Sequence, residues 1–427
     1  MNSSKCLKKA AVIGVASALA LSFAACGNSG NDNKDDPSAK SSSQAVQEPE
    51  LPVQTAAAHK QEDSLFNKYQ SNTVVATGNN FLITKADSVT YRAYFPLEEY
   101  GNLEYRFYFS NEIDSTYDRG DKAHIGGETG SYTVTNARIA DGGTSVEDEI
   151  TNYTDVTFDG NSGKDVEPGE DYWSDPVQFS LEEGHYLVWE WTVSGEKIPC
   201  TNMSTLTSTT SSEDGEEFSY CDQIPLPQLI GCDREAKYTI AAIGDSITQG
   251  CMTEFMAYEF WAAQISQKLG ADYSLWNCGL GWARSSDAAT KGNWLERAKN
   301  ADIAIVAFGT NDIISGEYGA ESGNTAEEIE KYVRDIVSEF KDTGCSVVVF
   351  NAPPQDYDEE HEKTRTDYNE MLKKTCAELG VYYFDFASYL STPENPAAAV
   401  YGGHPNGEAG GIVSDAFVEE FSVLLGR

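Results

Sequence analysis

Residues 243–250 read IGDSITQG and follow the apolar run KYTIAA. A serine between a buried strand and a helix can cap that helix, and so can the preceding aspartate, Asp245. The same position also suits a nucleophile, because the reactive edge of a parallel sheet lies beyond the carboxyl ends of its strands. Ser246 needs a base and an oxyanion donor for that role. The rest of the sequence must therefore supply these partners.

Two other motifs carry side chains of the required types. Asn311 lies in FGTND directly after the run DIAIVA, and His404 lies in GGHPN. An imidazole can take the serine proton and return it to a leaving alcohol, and a carboxamide can donate to an oxyanion. Taken alone, Asn311 is equally typical of a turn and His404 of a surface histidine. The order of the motifs decides between these interpretations.

IGDSITQG, WNCGLGW, FGTND and GGHPN occur in the order and spacing of the SGNH, or GDSL, hydrolase superfamily. The second half of the chain resembles that superfamily throughout. The resemblance implies that Ser246 is the nucleophile and His404 the general base. It also implies an oxyanion hole formed by the backbone N–H of Ser246 and the side chain of Asn311. The G-x-S-x-G elbow of the α/β-hydrolases is excluded, because Thr248 stands at its second glycine.

The third oxyanion donor falls on the stretch NCGLGWAR. Family members usually present a glycine N–H at the end of an N-x-G-x-x-G pattern, and Trp282 occupies that last position here. A backbone donor needs no particular side chain, so Gly279, Gly281 and Trp282 all stay candidates.

The acid that orients the histidine departs from the family pattern. The superfamily usually places Asp three residues before the histidine, and this sequence has Tyr401. Some polysaccharide deacetylases with this fold are similar in using a Ser-His dyad in which a backbone carbonyl fixes the imidazole, and this resemblance predicts such a dyad here. Asp385 or Glu394 would replace that carbonyl if the fold brought either carboxylate close.

The elements that must position these residues change type along the chain. From about residue 236, β-rich runs such as DIAIVA and SVVVF alternate with helical stretches. Such alternation predicts a parallel sheet with helices on both faces. With the superfamily resemblance, it gives a flavodoxin-like α/β domain over residues 229–427.

Residues 61–228 instead show short alternating strands such as LEYRFYFSN and HYLVWEWTV, separated by turn-rich breaks. This pattern predicts an all-β, jelly-roll-like sandwich. FYFSNE, VTFDG and SDPVQFSL resemble the leading β domain of secreted two-domain GDSL esterases, including acetyl-polysaccharide esterases. A packing role for this domain and a role in glycan recognition both stay open.

The N-terminal residues are predicted to be an export signal. Residues 1–25 combine lysines with an apolar run, and Cys26 follows two alanines, which resembles a bacterial lipoprotein signal. Cys26 would carry the lipid and anchor the protein to the outer face of the cell membrane. A simple secretory cleavage and an uncleaved anchor are the alternatives. Residues 26–60 are polar and predicted to be a disordered linker.

Composition excludes several partners. The formal net charge of −38 argues against binding to nucleic acid. No cysteine shows metal-ligand spacing with a histidine, so we predict neither a metal nor another cofactor. Cys200 and Cys221 flank a Ser/Thr-rich loop that a disulfide could bridge.

Three functions are consistent with these features. The leading hypothesis is an exported esterase that removes acetyl groups from polysaccharide, with Asp245, Trp282 and Tyr401 as possible substrate contacts. A lipase or general acyl-ester hydrolase is the second, although no long exposed apolar segment is evident. A non-catalytic glycan-binding lipoprotein is the third.

Overall fold

The computed structural model describes residues 52–58, 64–115, 129–202, 205–289, 293–314, 324–390, 399–400 and 404–427. The predicted signal peptide, Cys26 and most of the predicted linker lie outside these ranges. Tyr401 and Glu394 lie outside them as well.

Residues 64–232, called the β region here, are rich in strands. After a short helix, α1 (Leu65–Lys68), the strands are β1 (Gln70–Ser71), β2 (Phe81–Phe95), β3 (Gly101–Ser110), β4 (Tyr132–Asp141), β5 (Thr151–Asp155), β6 (Lys164–Val166), β7 (Asp171–Trp173), β8 (Val177–Leu181), β9 (Leu187–Asn202), β10 (Ser208–Ser212), β11 (Ser219–Tyr220), β12 (Gln223–Ile224) and β13 (Leu229–Cys232).

These strands form two antiparallel sheets. One has the order β1-β13-β3-β7 with β8 also paired to β3, and the other has the order β11-β10-β2-β9-β4-β5. Their inner faces meet through aromatic rings: Phe107 lies 4.7 Å from Trp189, and Phe109 lies 5.2 Å from Trp191, between ring centroids. The predicted antiparallel sandwich is confirmed. Strand β13 pairs with β3 in the first sheet, although it lies just past the predicted boundary at residue 228.

The α/β region follows from residue 238. Its strands are β14 (Tyr238–Gly244), β15 (Tyr273–Gly279), β16 (Ile303–Ala307), β17 (Ser346–Phe350), β18 (Tyr382–Phe384), β19 (Ala399–Val400) and β20 (His404–Pro405). Its helices are α2 (Ser246–Gln249), α3 (Trp261–Leu269), α4 (Ser285–Ala289), α5 (Asn293–Ala298), α6 (Thr310–Ile313), α7 (Ala326–Asp342), α8 (Glu359–Leu379) and α9 (Gly407–Glu420), with a 3-10 helix at Phe386–Tyr389.

Five parallel strands form the central sheet in the order β15-β14-β16-β17-β18. In chain order this is 2-1-3-4-5, the flavodoxin-like arrangement, which confirms the predicted fold. Alternate residues of each strand enter opposite layers: Ile240 and Ile305 pack in the core that holds α3 and α9, whereas Ala241 and Val306 pack in the core that holds α7 and α8. The sheet is therefore covered by helices on both faces.

The β region and the α/β region share buried polar contacts. Asp114, after β3, forms an ion pair of 2.7 Å with Arg297 on α5, and these side chains are 0% and 3% exposed. Trp276 on β15 donates its indole N–H to the carbonyl oxygen of Gln228 at 3.0 Å. The ion pair is buried and the indole bond is partly buried, and the two regions pack as one body.

Two further properties concern the whole described chain. Within the described ranges, no helix is both long and apolar enough to cross a membrane. Cys200 and Cys221 are both thiols, so the bridge considered from the sequence is not formed. Both lie in the second sheet or beside it, and burial raises the pKa of the Cys221 thiol to about 11.

Candidate active site

The nucleophile candidate lies at the turn between β14 and α2. Asp245 is the N-cap of α2, and its carboxylate accepts the backbone N–H of Ile247 at 2.9 Å. Gly244 is required before it, because a Cβ there would lie 2.2 Å from Oγ1 of Thr248 and 2.6 Å from the carbonyl oxygen of Ala307. Since Asp245 caps the helix, the hydroxyl of Ser246 is available for another role.

That hydroxyl meets the histidine predicted from the sequence. Oγ of Ser246 lies 2.9 Å from Nε2 of His404, and both residues are partly exposed. His404 begins β20, which pairs with β19, and the next residue but one, Asn406, caps α9 by accepting the N–H of Ala409. Gln264 on α3 also donates to the carbonyl oxygen of Gly407 at 3.0 Å. The start of α9 thus holds the imidazole at the edge of the sheet.

The distance between Oγ of Ser246 and Nε2 of His404 allows proton transfer between them. A neutral imidazole carries its proton on one ring nitrogen and accepts through the other. With the proton on Nδ1, Nε2 of His404 accepts from the hydroxyl of Ser246 at hydrogen-bond distance. The arrangement can therefore remove the hydroxyl proton as the oxygen attacks an electrophile.

Asn311 lies on α6, beside the same edge. It is 7% exposed, and its Nδ2 donates to the carbonyl oxygen of Ala283 at 3.0 Å. An asparagine amide has two N–H donors, so this single bond orients the group without using both. The neighbouring Asp312 is buried and accepts from the hydroxyl of Ser285 at 2.6 Å. These bonds tie the turn after β16 to the turn after β15.

Residues 277–283, called the 277–283 loop here, contain the candidates for the third donor. The N–H of Gly279 donates to Oδ1 of Asn277 at 2.8 Å, and the amide of Asn277 donates to the carbonyl oxygen of Thr248 at 3.0 Å. The N–H of Gly279 is already bonded to Asn277, so we remove Gly279 from the candidate oxyanion donors. Gly281 and Trp282 stay candidates.

Trp282 adopts a backbone conformation that glycine favours. Its φ is +67°, in the left-handed region that a bulky side chain rarely enters. Glycine, the residue of the family pattern at this position, would adopt this conformation without steric strain. The indole of Trp282 is partly exposed.

Asp245 is not placed to touch a substrate. It is 3% exposed, and burial raises the pKa of its carboxyl group to about 7, with a smaller contribution from the nearby charge of Asp312. Its carboxylate is directed to the start of α2 rather than to the surface. Of the three substrate contacts considered from the sequence, Trp282 has exposed surface and Tyr401 lies outside the described residues.

Asp385, one of two alternative orienting acids, belongs to a network of its own. Its carboxylate accepts from the amide of Asn351 at 2.8 Å, and Oδ1 of Asn351 accepts the N–H of Ala387. The second alternative, Glu394, lies outside the described residues. Among the described residues, no group of three or more His, Cys, Asp or Glu side chains is arranged to hold a metal ion.

The sequence interpretation missed the supporting role of two polar residues. Asn277 links α2 to the 277–283 loop, and Asp312 links α6 to the residues after that loop. Both lie inside the quoted motifs WNCG and GTND. The signal was their polarity near the carboxyl ends of apolar strands, where an unpaired buried polar side chain would be costly.

A family match covers most of the α/β region. Residues 242–409, which include Ser246, Asn311 and His404, match the model of the GDSL-like lipase/acylhydrolase family. No curated protein matches the chain.

Several solved structures resemble the α/β region. A variant of an acetyl-xylooligosaccharide esterase from Geobacillus stearothermophilus is 20% identical, and the match covers 45% of this chain and 98% of that one with a TM-score of 0.38. An aryl esterase of M. smegmatis is 19% identical, with 44% and 99% covered and a TM-score of 0.37. A carbohydrate acetylesterase from Sinorhizobium meliloti is 17% identical, with 44% and 100% covered and a TM-score of 0.36. The strand order itself, rather than these scores, defines the fold.

Proposed function

We propose that the chain is a serine esterase that removes short acyl groups, acetyl above all, from carbohydrate. The observation that supports this proposal is the 2.9 Å contact between Oγ of Ser246 and Nε2 of His404 in a GDSL-like domain. The lipase and the non-catalytic binding protein stay as alternatives, and the substrate panel below separates them.

In the proposed reaction, Oγ of Ser246 attacks the ester carbonyl carbon while its proton passes to Nε2 of His404. The carbonyl oxygen becomes an oxyanion. Collapse of this intermediate breaks the bond to the sugar oxygen, which leaves as an alcohol with the proton from His404. Water then attacks the acyl-enzyme by the same route, which releases the carboxylic acid and restores the serine.

The oxyanion requires donors that are fixed before the reaction begins. Ser246 is the first residue of α2, where a backbone N–H has no acceptor within the helix. Asn311 would donate its second amide hydrogen, since the first is held by Ala283. Gly281 or Trp282 would supply the third donor from the 277–283 loop.

A small pocket next to the dyad supports a short acyl group. Ile247 and Pro405, the residues that follow the nucleophile and the base, line it together with Cys251, Phe260 and Trp261. It encloses about 210 Å³, including space open to solvent. Because it is bounded by the residues that follow the nucleophile and the base, it is placed to receive the acyl group of an ester attacked by Ser246, and its small size suits acetate better than a fatty acyl chain. The exposed indole of Trp282 could stack on a sugar face.

The proposal is tested with a substrate panel. Purified wild type and Ser246→Ala are assayed with p-nitrophenyl acetate, with esters of longer acyl chains, and with acetylated xylan or mannan. We expect turnover of acetate esters and release of acetate from the polysaccharide by wild type alone. A preference for long chains would favour the lipase, and equal activity of wild type and variant would exclude Ser246 as the nucleophile.

We also propose that the mature protein is exported and anchored through a lipid on Cys26. The basic and apolar residues before Cys26 support this proposal. Expression of Cys26→Ser in a bacterial host should move the protein from the membrane fraction to a soluble one. An unchanged membrane fraction would contradict the proposal.

A further inference from the structure

The β region contacts the α/β region directly at the 277–283 loop. Asn80, the residue before β2, is 2% exposed, and its Nδ2 donates to the carbonyl oxygen of Gly281 over a long 3.4 Å. Its Oδ1 accepts the backbone N–H of Asn202, the last residue of β9, at 2.8 Å. This second bond fixes which way the amide faces, because a flipped amide would oppose two donors. Asn80 therefore presents its N–H groups to the loop.

The peptide unit that Asn80 contacts contains a candidate oxyanion donor. The carbonyl of Gly281 and the N–H of Trp282 belong to the same planar unit, and the described residues contain no cis peptide bond. In a trans peptide the C=O and N–H bonds point in opposite directions. A donor that holds the carbonyl oxygen of Gly281 from the β region thus directs the N–H of Trp282 away from that region.

Side chains from both regions leave no space for a side chain at Gly281. A Cβ at this position would lie 2.9 Å from Nδ2 of Asn80 and 2.8 Å from Oε1 of Gln249, the last residue of α2. Gln249 is itself held by Asn202, whose carbonyl oxygen accepts its Nε2 at 2.8 Å. The end of β9 thus connects Asn80, the nucleophile helix and the 277–283 loop.

We propose that Asn80 is a positioning residue for the oxyanion hole, supplied by the β region. It acts through the peptide between Gly281 and Trp282 and touches no substrate itself. The inference rests on the proposed esterase function and extends it, because it gives the β region a part in turnover. Loss of the Asn80 donor should weaken binding of the transition state and leave binding of the ground-state ester nearly unchanged.

The preceding residue provides a matched control. Asn79 is also 2% exposed, but its amide donates to the carbonyl oxygens of Ser110 and Glu112, inside the β region. Substitution of either asparagine should destabilise the β region to a similar extent. Only substitution of Asn80 removes a contact with the 277–283 loop.

The experiment compares wild type, Asn80→Ala and Asn79→Ala with p-nitrophenyl acetate, well below the unfolding midpoint of each protein. We expect kcat of Asn80→Ala to fall about 10-fold with KM changed less than about 2-fold, and Asn79→Ala to keep the wild-type kcat. The inhibition constant of a boronic acid, which forms a tetrahedral adduct with the serine, should rise by the factor by which kcat/KM falls. Equal kcat values for Asn80→Ala and wild type would overturn the proposal, as would equal losses in both variants.

A second variant covers the case in which Asn80→Ala does not fold. Asn80→Asp keeps an acceptor for the N–H of Asn202 and removes the donor to Gly281, and its kcat must also fall. In addition, losses from Asn80→Ala and Gly281→Ala should be strongly non-additive in the double variant, and additive losses would contradict the proposal. An active wild type with an unaffected Asn80 variant overturns this inference alone. A wild type no faster than Ser246→Ala overturns the proposed function and this inference together.

Discussion

The two sides of the candidate active site are built in different ways. Ser246 and His404 are held within the α/β region, by a capped turn after β14 and by the start of α9. They meet through one direct bond at a partly exposed position. The 277–283 loop is mostly buried and held by side chains from both regions, including Asn277 and Asn80.

This difference indicates a division of labour. The reacting groups need access to substrate and solvent, so they lie at an edge that few contacts cover. Oxyanion donors gain from rigidity, because a fixed dipole costs no reorganisation during the reaction. A second layer of structure, supplied by the β region, is a physical means of fixing them. Substitution of Ser246 or His404 should therefore abolish turnover with little change in the free energy of unfolding. Substitutions that remove contacts of the 277–283 loop should lower both turnover and the free energy of unfolding.

The largest expected effect is on the dyad side. His404→Ala removes the proton acceptor of Ser246, so kcat for p-nitrophenyl acetate should fall about 10⁴-fold or more. Because His404 is partly exposed, the free energy of unfolding should change little. Steady-state kinetics and urea unfolding measure the two quantities. Retention of more than about a tenth of the activity would show that another group acts as base.

The second effect concerns the ion pair between the regions. Asp114→Ala leaves the buried guanidinium of Arg297 without its partner and should lower the free energy of unfolding by about 3–5 kcal/mol. The double variant Asp114→Ala/Arg297→Met removes both charges and should recover much of this loss. Urea unfolding of wild type, single and double variants tests it. A single variant as stable as wild type would show that the contact contributes nothing to joining the regions.

The third effect is on the oxyanion side. Asn311→Ala removes a fixed donor, so kcat should fall about 10²–10³-fold, which corresponds to about 2.7–4 kcal/mol of transition-state stabilisation. The bond to Ala283 is lost as well, so the unfolding midpoint should also move, unlike in His404→Ala. Asp312→Asn provides the control, because it weakens the bond to Ser285 without removing the Asn311 donor. A loss in Asn311→Ala no greater than in this control would argue against a direct role.

The local parts of this site could be predicted from the sequence, whereas the contacts between regions could not. Ser246 and Asn311 closely follow apolar strands, and the carboxyl ends of parallel strands share one edge, so their placement at that edge follows from periodicity. His404 was placed by its motif. In contrast, Asn80 and Gly281 are 201 residues apart, and their contact depends on how the sandwich packs against the sheet.

The length of strand β9 could not be predicted from its local sequence. The run HYLVWEWTV predicts a strand that ends near residue 193, but β9 continues to Asn202 through SGEKIPCTN. Gly195 and Pro199 argue against a strand when read locally. Pairing with β2 overrides that preference, with Glu196 opposite Lys85 and Ile198 opposite Ile83. The end of β9 places Asn202 next to α2, where its carbonyl oxygen accepts from Gln249. Local propensity therefore failed to predict the part of β9 that contacts the α/β region.

The smallest expected effect concerns Asp245, the buried acid next to the nucleophile. Burial holds the pKa of Asp245 at about 7, and an unfolded aspartate titrates near pH 4. The folded protein therefore binds this proton more tightly than the unfolded chain, and stability falls as pH rises from about 4 to 7. Asp245→Asn cannot ionise and still caps α2, since asparagine is an equally good N-cap. The variant should match wild type at pH 4 and exceed it by about 2–4 kcal/mol at pH 8, a range that follows from about 1.4 kcal/mol for each unit of pKa shift.

Urea unfolding at several pH values provides the measurement, and an exposed aspartate provides a control of opposite sign. Backbone N–H groups of Glu217 and Glu216 lower the pKa of Asp214 to about 2, so its contribution to stability is present above pH 4 and lost as pH falls towards 2. Asp214→Asn should accordingly be less stable than wild type at pH 8, where Asp245→Asn is more stable. Parallel pH profiles for wild type and Asp245→Asn would show that burial does not raise the pKa of Asp245.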